Sequence, residues 1–254
     1  MDKHKDTSWN KVAGWYDQHV SEASDHHRDI IIPGALRMLD PKKGEKIIDI
    51  GCGQGILCRE LAAKGVEMTG IDSSKKLIDI AKTRAQGKNI DYKISDASNM
   101  KAIPDGFFDA AVSILALQNM SDLDRVMAEA ARILNAKGRM LMVLNHPCFR
   151  IPRQSGWGFD EKRKLQYRRV DRYMTPLKIP IQMRPGAAPD IHTWTFHKPI
   201  SEYFRVFTQL GMVVTALEEW VSKRKSLPGK TSRMENQSRE EIPLFLAMLA
   251  VKLN

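Results

Sequence analysis

Gly51, Gly53 and Gly55 close the run Ile47-Ile48-Asp49-Ile50-Gly51-Cys52-Gly53-Gln54-Gly55, in which a β-branched stretch ends in an acid and breaks into a loop. Glycines at this density let backbone approach a ligand where any Cβ would collide. From Ile56 a helix follows, with Leu57, Leu61 and Ala62 on one face and Arg59, Glu60 and Lys64 turned outward. A second acid, Asp72, ends the strand-like Val66-Glu67-Met68-Thr69-Gly70-Ile71. A carboxylate there can accept two hydrogen bonds from a ribose diol. The spacing is G-x-G-x-G, and Ile56 stands where a dinucleotide fingerprint has its third glycine. Asp49 would repel a pyrophosphate and suit a cationic amine. The ligand these residues ask for has a ribose, an amine and no phosphates, which describes S-adenosylmethionine better than a nicotinamide dinucleotide.

With those residues in view, the chain resembles the class I S-adenosylmethionine-dependent methyltransferases, motif by motif over roughly residues 9 to 145. Asp49 to Gly55 is similar to the family's first motif, which implies that Asp49, Gly51, Cys52, Gly53 and Gly55 hold the methionine part of the cofactor. Asp72 matches the acid that clasps the ribose, with Ser73 and Ser74 beside it. Ser95-Asp96-Ala97 matches the acidic turn after the third strand, where Asp96 would accept the adenine amino group and Ala97 would offer backbone. Phe108 to Ser113, then Leu115 to Met120, match the fourth strand and the segment under the cofactor, which implies contacts from Leu115 and Gln118. Many relatives end that segment Leu-His-His; here it reads Leu117-Gln118-Asn119, so a common histidine is missing. Each motif alone has a plainer reading: the turn of any doubly wound sheet, a helix N-cap at Asp72, a turn former at Asp96. One crevice at the carboxyl ends of neighbouring strands explains them together.

The elements that must position these groups alternate. Strand patterns recur near 46–50, 67–71, 90–94, 108–113 and 139–145, with helical patterns between them. Residues 121–134 carry an apolar stripe (Leu123, Val126, Met127, Ala130, Ile133, Leu134) behind a Ser121/Asp122 cap. Alternation of this kind gives an α/β fold, a doubly wound, mostly parallel sheet covered on both faces. The resemblance implies seven strands, the last (244–251) antiparallel, with a lid inserted between the fifth and sixth. A helix is expected over 28–39, interrupted near Pro33-Gly34, and a mobile loop over 222–239. The whole of 1–254 reads as one methyltransferase domain: an arm and helix over 1–40, where Trp15 and Tyr16 would close the cofactor pocket, and an insertion over 147–200.

That insertion is dense in aromatics and cations, among them Trp157, Phe159, Tyr167, Tyr173, Trp194, Arg150, Arg163 and Arg168. A segment this long between elements is commonly a lid over an active site. A second reading is an RNA surface that stacks bases and pairs phosphates. The plain alternative is a solvated helix over 160–172, given charges at i,i+4 spacing. A formal net charge of +10 favours a polyanion or an acidic substrate.

Methyl transfer by in-line displacement gains mainly from positioning, which can supply roughly 7–11 kcal/mol. A base is needed only where the acceptor loses a proton. His146, just past the fifth strand, is the first candidate and His197 the second; Tyr16 or Tyr173 would orient the acceptor. Histidines bonding backbone at element boundaries are the plainer alternative. Pro147-Cys148 follows the fifth strand rather than the fourth, so Cys148 reads as structural. No histidine spacing implies a metal. Cys52, Cys58 and Cys148 suggest no disulfide framework, and no apolar run reaches a membrane span, so a cytoplasmic enzyme without leader or anchor is expected. The expected activity is methylation of a small organic acceptor, an anionic one among the options, with S-adenosylhomocysteine as product. The alternatives are an RNA methyltransferase and a cofactor-binding module without catalysis.

Overall fold

The isoleucines of β1 (Lys46–Ile50) are fully buried because parallel neighbours flank the strand and helices cover both its faces. The structure is a computed structural model that describes residues 9–14, 17, 26–182 and 192–253. β2 (Glu67–Asp72), β3 (Ile90–Ile94), β4 (Phe108–Ile114), β5 (Leu134–Asn145), β10 (Met212–Trp220) and β11 (Phe245–Lys252) complete a seven-stranded sheet of order β10-β11-β5-β4-β1-β2-β3. β11 runs antiparallel to both β5 and β10, as the resemblance implied. Alternation along the strands divides the interior. Ile47, Val112, Leu141 and Val143 join one core; Ile48, Ile50, Met140 and Met142 join the other.

The crossover helices are α2 (Ile56–Ala62), α3 (Lys75–Arg84) and α4 (Leu123–Ile133), and α5 (Ile200–Gln209) precedes β10. Ser74 caps α3 by accepting from Leu77 N, and Asp122 caps α4 by accepting from Arg125 N at 3.1 Å. Asp72 is therefore not the N-cap of α3. The chain leaves β1 in one direction toward β2 and β3 and returns on its other side at β4. That reversal is the switch point at which ligands of such sheets bind.

Three expectations need correction. The helix near Pro33-Gly34 is not interrupted: a π-helical turn, His27–Ile31, feeds directly into α1 (Ile32–Leu39), and Pro33 falls just past the junction of the two. Gly34 is needed for packing, since a Cβ there would lie 2.5 Å from the Trp220 ring. The 160–172 segment is not a helix. β6 (Ser155–Asp160) and β7 (Leu165–Val170) form a hairpin, turned where Asp160 Oδ1 accepts from Arg163 N. Finally, 222–239 is not all loop, because α6 (Ser232–Glu241) packs on β7, with a Ser238–Gln166 hydrogen bond of 2.5 Å. The insertion closes with a second hairpin, β8 (Leu177–Ile181) and β9 (Thr193–His197).

Candidate active site

The glycine loop is held from two sides. Ile71 O accepts from Gly51 N and Cys52 N, which ties the loop to β2. Asp72 adds a second tie: Oδ2 accepts from Gly53 N at 3.0 Å and Oδ1 from Ser74 N at 2.8 Å. Burial raises the Asp72 pKa and these two backbone N–H groups pull it back, so the carboxylate is both enclosed and oriented. Gly51 (φ +77°) has no room for a side chain; a Cβ would stand 2.5 Å from Ala116 Cβ. Beneath the loop Asp49 is almost fully buried, its Oδ2 accepting from Cys58 Sγ at 3.4 Å while Oδ1 has no partner. Burial, with the Asp72 charge adding to it, pushes its pKa up to about 7.

At the carboxyl ends of β1 to β4 opens a cavity of about 490 Å³. Gly51, Gly53, Asp72, Ser73, Asp96, Ala97 and Leu115 are in its wall, so most of the residues expected to touch a cofactor are brought together. Asp96 Oδ1 accepts from Ser98 N and Oγ, both at 2.8 Å, which fixes the carboxylate at the rim. Asp49, Cys52 and Gly55 lie behind the loop rather than in the wall. Gly55 is required there by packing, since a Cβ would meet Tyr92 Oη at 2.1 Å. An enclosed carboxylate beside a side-chain-free loop, with a second acid across the opening, fits a nucleoside that carries an amine.

Residues 48–142 match a family model described as a methyltransferase domain. A solved S-adenosylmethionine-dependent methyltransferase from Mesorhizobium loti superposes with a TM-score of 0.69 at 25% identity, covering 86% of this chain and 96% of that one. Over these residues the chain is similar to the class I S-adenosylmethionine-dependent methyltransferases, and its fold is theirs. Among curated relatives, a demethylmenaquinone methyltransferase of Tropheryma whipplei is 32% identical over 144 residues, 55% of this chain and 58% of that protein. A ubiquinone biosynthesis O-methyltransferase of Thiobacillus denitrificans is 34% identical over 129 residues, 49% of this chain and 54% of that protein. The chain thus spans little more than half the length of the curated relatives it matches.

A second cavity of about 250 Å³ adjoins the first, and Trp9, Leu115, Asn119 and Phe196 line both. Gln118, expected against the cofactor, lines this second cavity instead, because the single turn Leu117–Asn119 carries it past the first. His197 is here as well. Its Nε2 donates to Tyr173 O at 2.7 Å, which leaves Nδ1 as the nitrogen able to take a proton. Burial, then the nearby Lys198 charge, lowers its pKa.

His146 is in neither wall. It is 1% exposed; Nε2 meets Glu219 Oε1 at 2.7 Å and Nδ1 accepts from Cys148 N at 3.2 Å. With both ring nitrogens engaged away from the cavities, it secures the chain leaving β5, and Cys148 sits in the same turn. Tyr173 Oη accepts from Ile200 N, anchoring the start of α5. Trp15 and Tyr16 lie outside the described residues. Sequence reasoning missed Trp9 as a wall of both cavities, whereas Phe196 belongs to the insertion whose aromatics were expected to line a pocket. Among the described residues no cluster of His, Cys, Asp or Glu could hold a metal, and no helix is long and apolar enough to cross a membrane.

Proposed function

We propose that this chain methylates a small organic acceptor held in the second cavity, drawing the methyl group from S-adenosylmethionine in the first. The observation that carries the reading is the shared wall: Leu115, Asn119 and Phe196 border both spaces, so a donor and an acceptor would meet there. Asp72 would accept from the ribose hydroxyls, Asp96 from the adenine amino group, and the Gly51–Gly53 backbone would hold the methionine part. Asp49 acts from beneath as a support of the loop. When bound, the cofactor would supply an electrophilic methyl on a sulfonium, with S-adenosylhomocysteine as the leaving group. The protein's part is placement, plus removal of a proton where the acceptor is a hydroxyl. His197 Nδ1 takes that proton, since the Tyr173 carbonyl fixes its tautomer and its lowered pKa keeps the ring neutral.

The insertion acts as a lid. Trp194 and Phe196 are its inner face, and Thr195 Oγ1 donates to Asn119 Oδ1 at 3.0 Å across the seam. The names of the curated relatives support a small acceptor and, in the ubiquinone case, an oxygen. The free thiols of Cys52, Cys58 and Cys148 support work in a reducing cytoplasm. The exposed Trp157, Phe159 and Tyr167 on the β6–β7 hairpin favour a second reading, an RNA substrate. Calorimetry tests the cofactor assignment: Asp72→Ala loses roughly tenfold or more in affinity for S-adenosylhomocysteine while circular dichroism stays native. Unchanged affinity refutes it. Labelled cofactor with a size-fractionated cell extract tests the acceptor; label in large RNA rather than in small molecules would select the second reading.

A further inference from the structure

The second cavity has an unbalanced charge. Arg150, Lys198, His197 and His27 line it, and among the described residues no aspartate or glutamate does. Lys198 is offset from outside the wall, where Asp124, Asp122 and Glu202 act on it. Arg150 has no such offset. It makes no ion pair among the described residues, and the charge that acts on it is a second cation, Arg168. Arg168 itself is spent on Phe149 O and Ser155 Oγ. A guanidinium in a cavity wall, partly open to solvent and facing only like charge, is a receptor for an anion, and its planar fork suits a carboxylate or a phosphate.

A second, independent feature lines the same cavity. Gln118 is 7% exposed; its Nε2 donates to Leu115 O at 3.0 Å, and its Oε1 is buried without a partner. The neighbouring Asn119 is satisfied on both sides, donating to Leu115 O and accepting from Thr195. A buried carbonyl oxygen left unpaired is costly unless a ligand donates to it. Leu115 and Asn119, which flank Gln118, also line the cofactor cavity, so a group donating to Gln118 stands at the junction.

The geometry points to an acceptor with two poles: an O–H or N–H donor seated on Gln118 Oε1 at the junction, and an anionic group held by Arg150. This rests on the acceptor reading of the second cavity and narrows it to small hydroxy or amino acids and their phosphate counterparts. A space of about 250 Å³ is below the roughly 300–1,000 Å³ of drug-sized sites, which suits a molecule of one ring.

The test is calorimetry on the full chain saturated with S-adenosylhomocysteine, using the hydroxybenzoate isomers, their methyl esters, benzoate and hydroxyphenyl phosphate as probes. At least one hydroxybenzoate binds roughly tenfold or more tighter than its ester. Arg150→Gln removes that preference while leaving the ester's affinity within about twofold, and Gln118→Leu removes the advantage of hydroxybenzoate over benzoate. Tighter binding of hydroxyphenyl phosphate than of any hydroxybenzoate supports the receptor and assigns its anion as a phosphate. Acids and esters binding alike, or no acid binding while S-adenosylhomocysteine binds, overturns the proposal. Failure of S-adenosylhomocysteine to bind the folded wild-type chain is a different result and removes the cofactor reading instead.

Discussion

Asp49→Asn should make the protein more stable in a pH-dependent way that separates it from any ordinary surface change. The carboxyl is sealed under the glycine loop, with the weak Cys58 thiol as donor to one oxygen and nothing on the other. Burial, reinforced by Asp72, raises its pKa from 3.8 to about 7. Below pH 3.8 the group is protonated in both the folded and the unfolded chain, and its protonation favours neither. As pH rises from there, the unfolded chain ionises first while the folded chain must keep its proton, so stability falls. The fall continues to about pH 7 and then stops, because above it both states are ionised. At about 1.4 kcal/mol per pH unit, the loss across that window is on the order of 4 kcal/mol. Asparagine keeps the shape and the oxygen that Cys58 meets, and it does not titrate. Urea unfolding followed by tryptophan fluorescence at steps from pH 4 to pH 8.5 checks this. The stability of the variant minus that of the wild type should climb through the window and level off above it. Parallel pH curves for the two proteins would refute the reasoning, since they would mean that Asp49 ionises as freely when folded as when unfolded.

Gly51→Ala places a Cβ 2.5 Å from Ala116 Cβ at a backbone φ of +77°, and it lowers stability by about 1–3 kcal/mol; a thermal midpoint within a degree of wild type would contradict this. His197→Gln lowers turnover on a hydroxyl acceptor by roughly 100-fold or more with little change in KM. Because burial holds the His197 pKa below the ordinary histidine range, the wild-type rate rises through an acid limb below that range, and the variant lacks the limb. A retained acid limb in the variant assigns the base elsewhere.

The parallel core was readable because Ile47, Ile48 and Ile50 in β1 and Ala110, Ala111 and Val112 in β4 put apolar residues on both faces of their strands, a pattern that suits a doubly covered strand. The cofactor cavity was readable for the same reason, since Asp72, Ser73, Asp96 and Ala97 occupy strand ends that the sheet order brings side by side. The insertion was harder. In residues 160–172 cations repeat at spacings that satisfy a helix, yet Leu165, Tyr167 and Arg169 alternate with Gln166, Arg168 and Val170. What decides for the hairpin is tertiary: Tyr167 covers Gly158, where a Cβ would be 2.5 Å away, and the Arg168 guanidinium lies 5.0 Å over the Trp157 ring. Neither contact is visible from local spacing. His146 misled for a related reason, because its place past β5 suits a base, while its burial against Glu219 depends on where β10 ends.

The departure at Leu117-Gln118-Asn119 and the histidine on β9 are two sides of one arrangement. A histidine at position 118 would put a further imidazole in the wall that already holds His197. Glutamine offers a neutral acceptor in its place. The proton-taking nitrogen then comes from His197, on a strand of the insertion rather than on the sheet. In the proposed enzyme, base and lid are therefore one element, and Thr195 meeting Asn119 registers them against the sheet at the seam between the two cavities. Breaking that register with Thr195→Val should lower turnover by roughly tenfold while leaving cofactor affinity within about twofold, because the first cavity keeps its acids. Stopped-flow turnover beside S-adenosylhomocysteine calorimetry reads both quantities, and a loss of cofactor affinity equal to the loss of turnover would show that β9 serves the cofactor cavity alone.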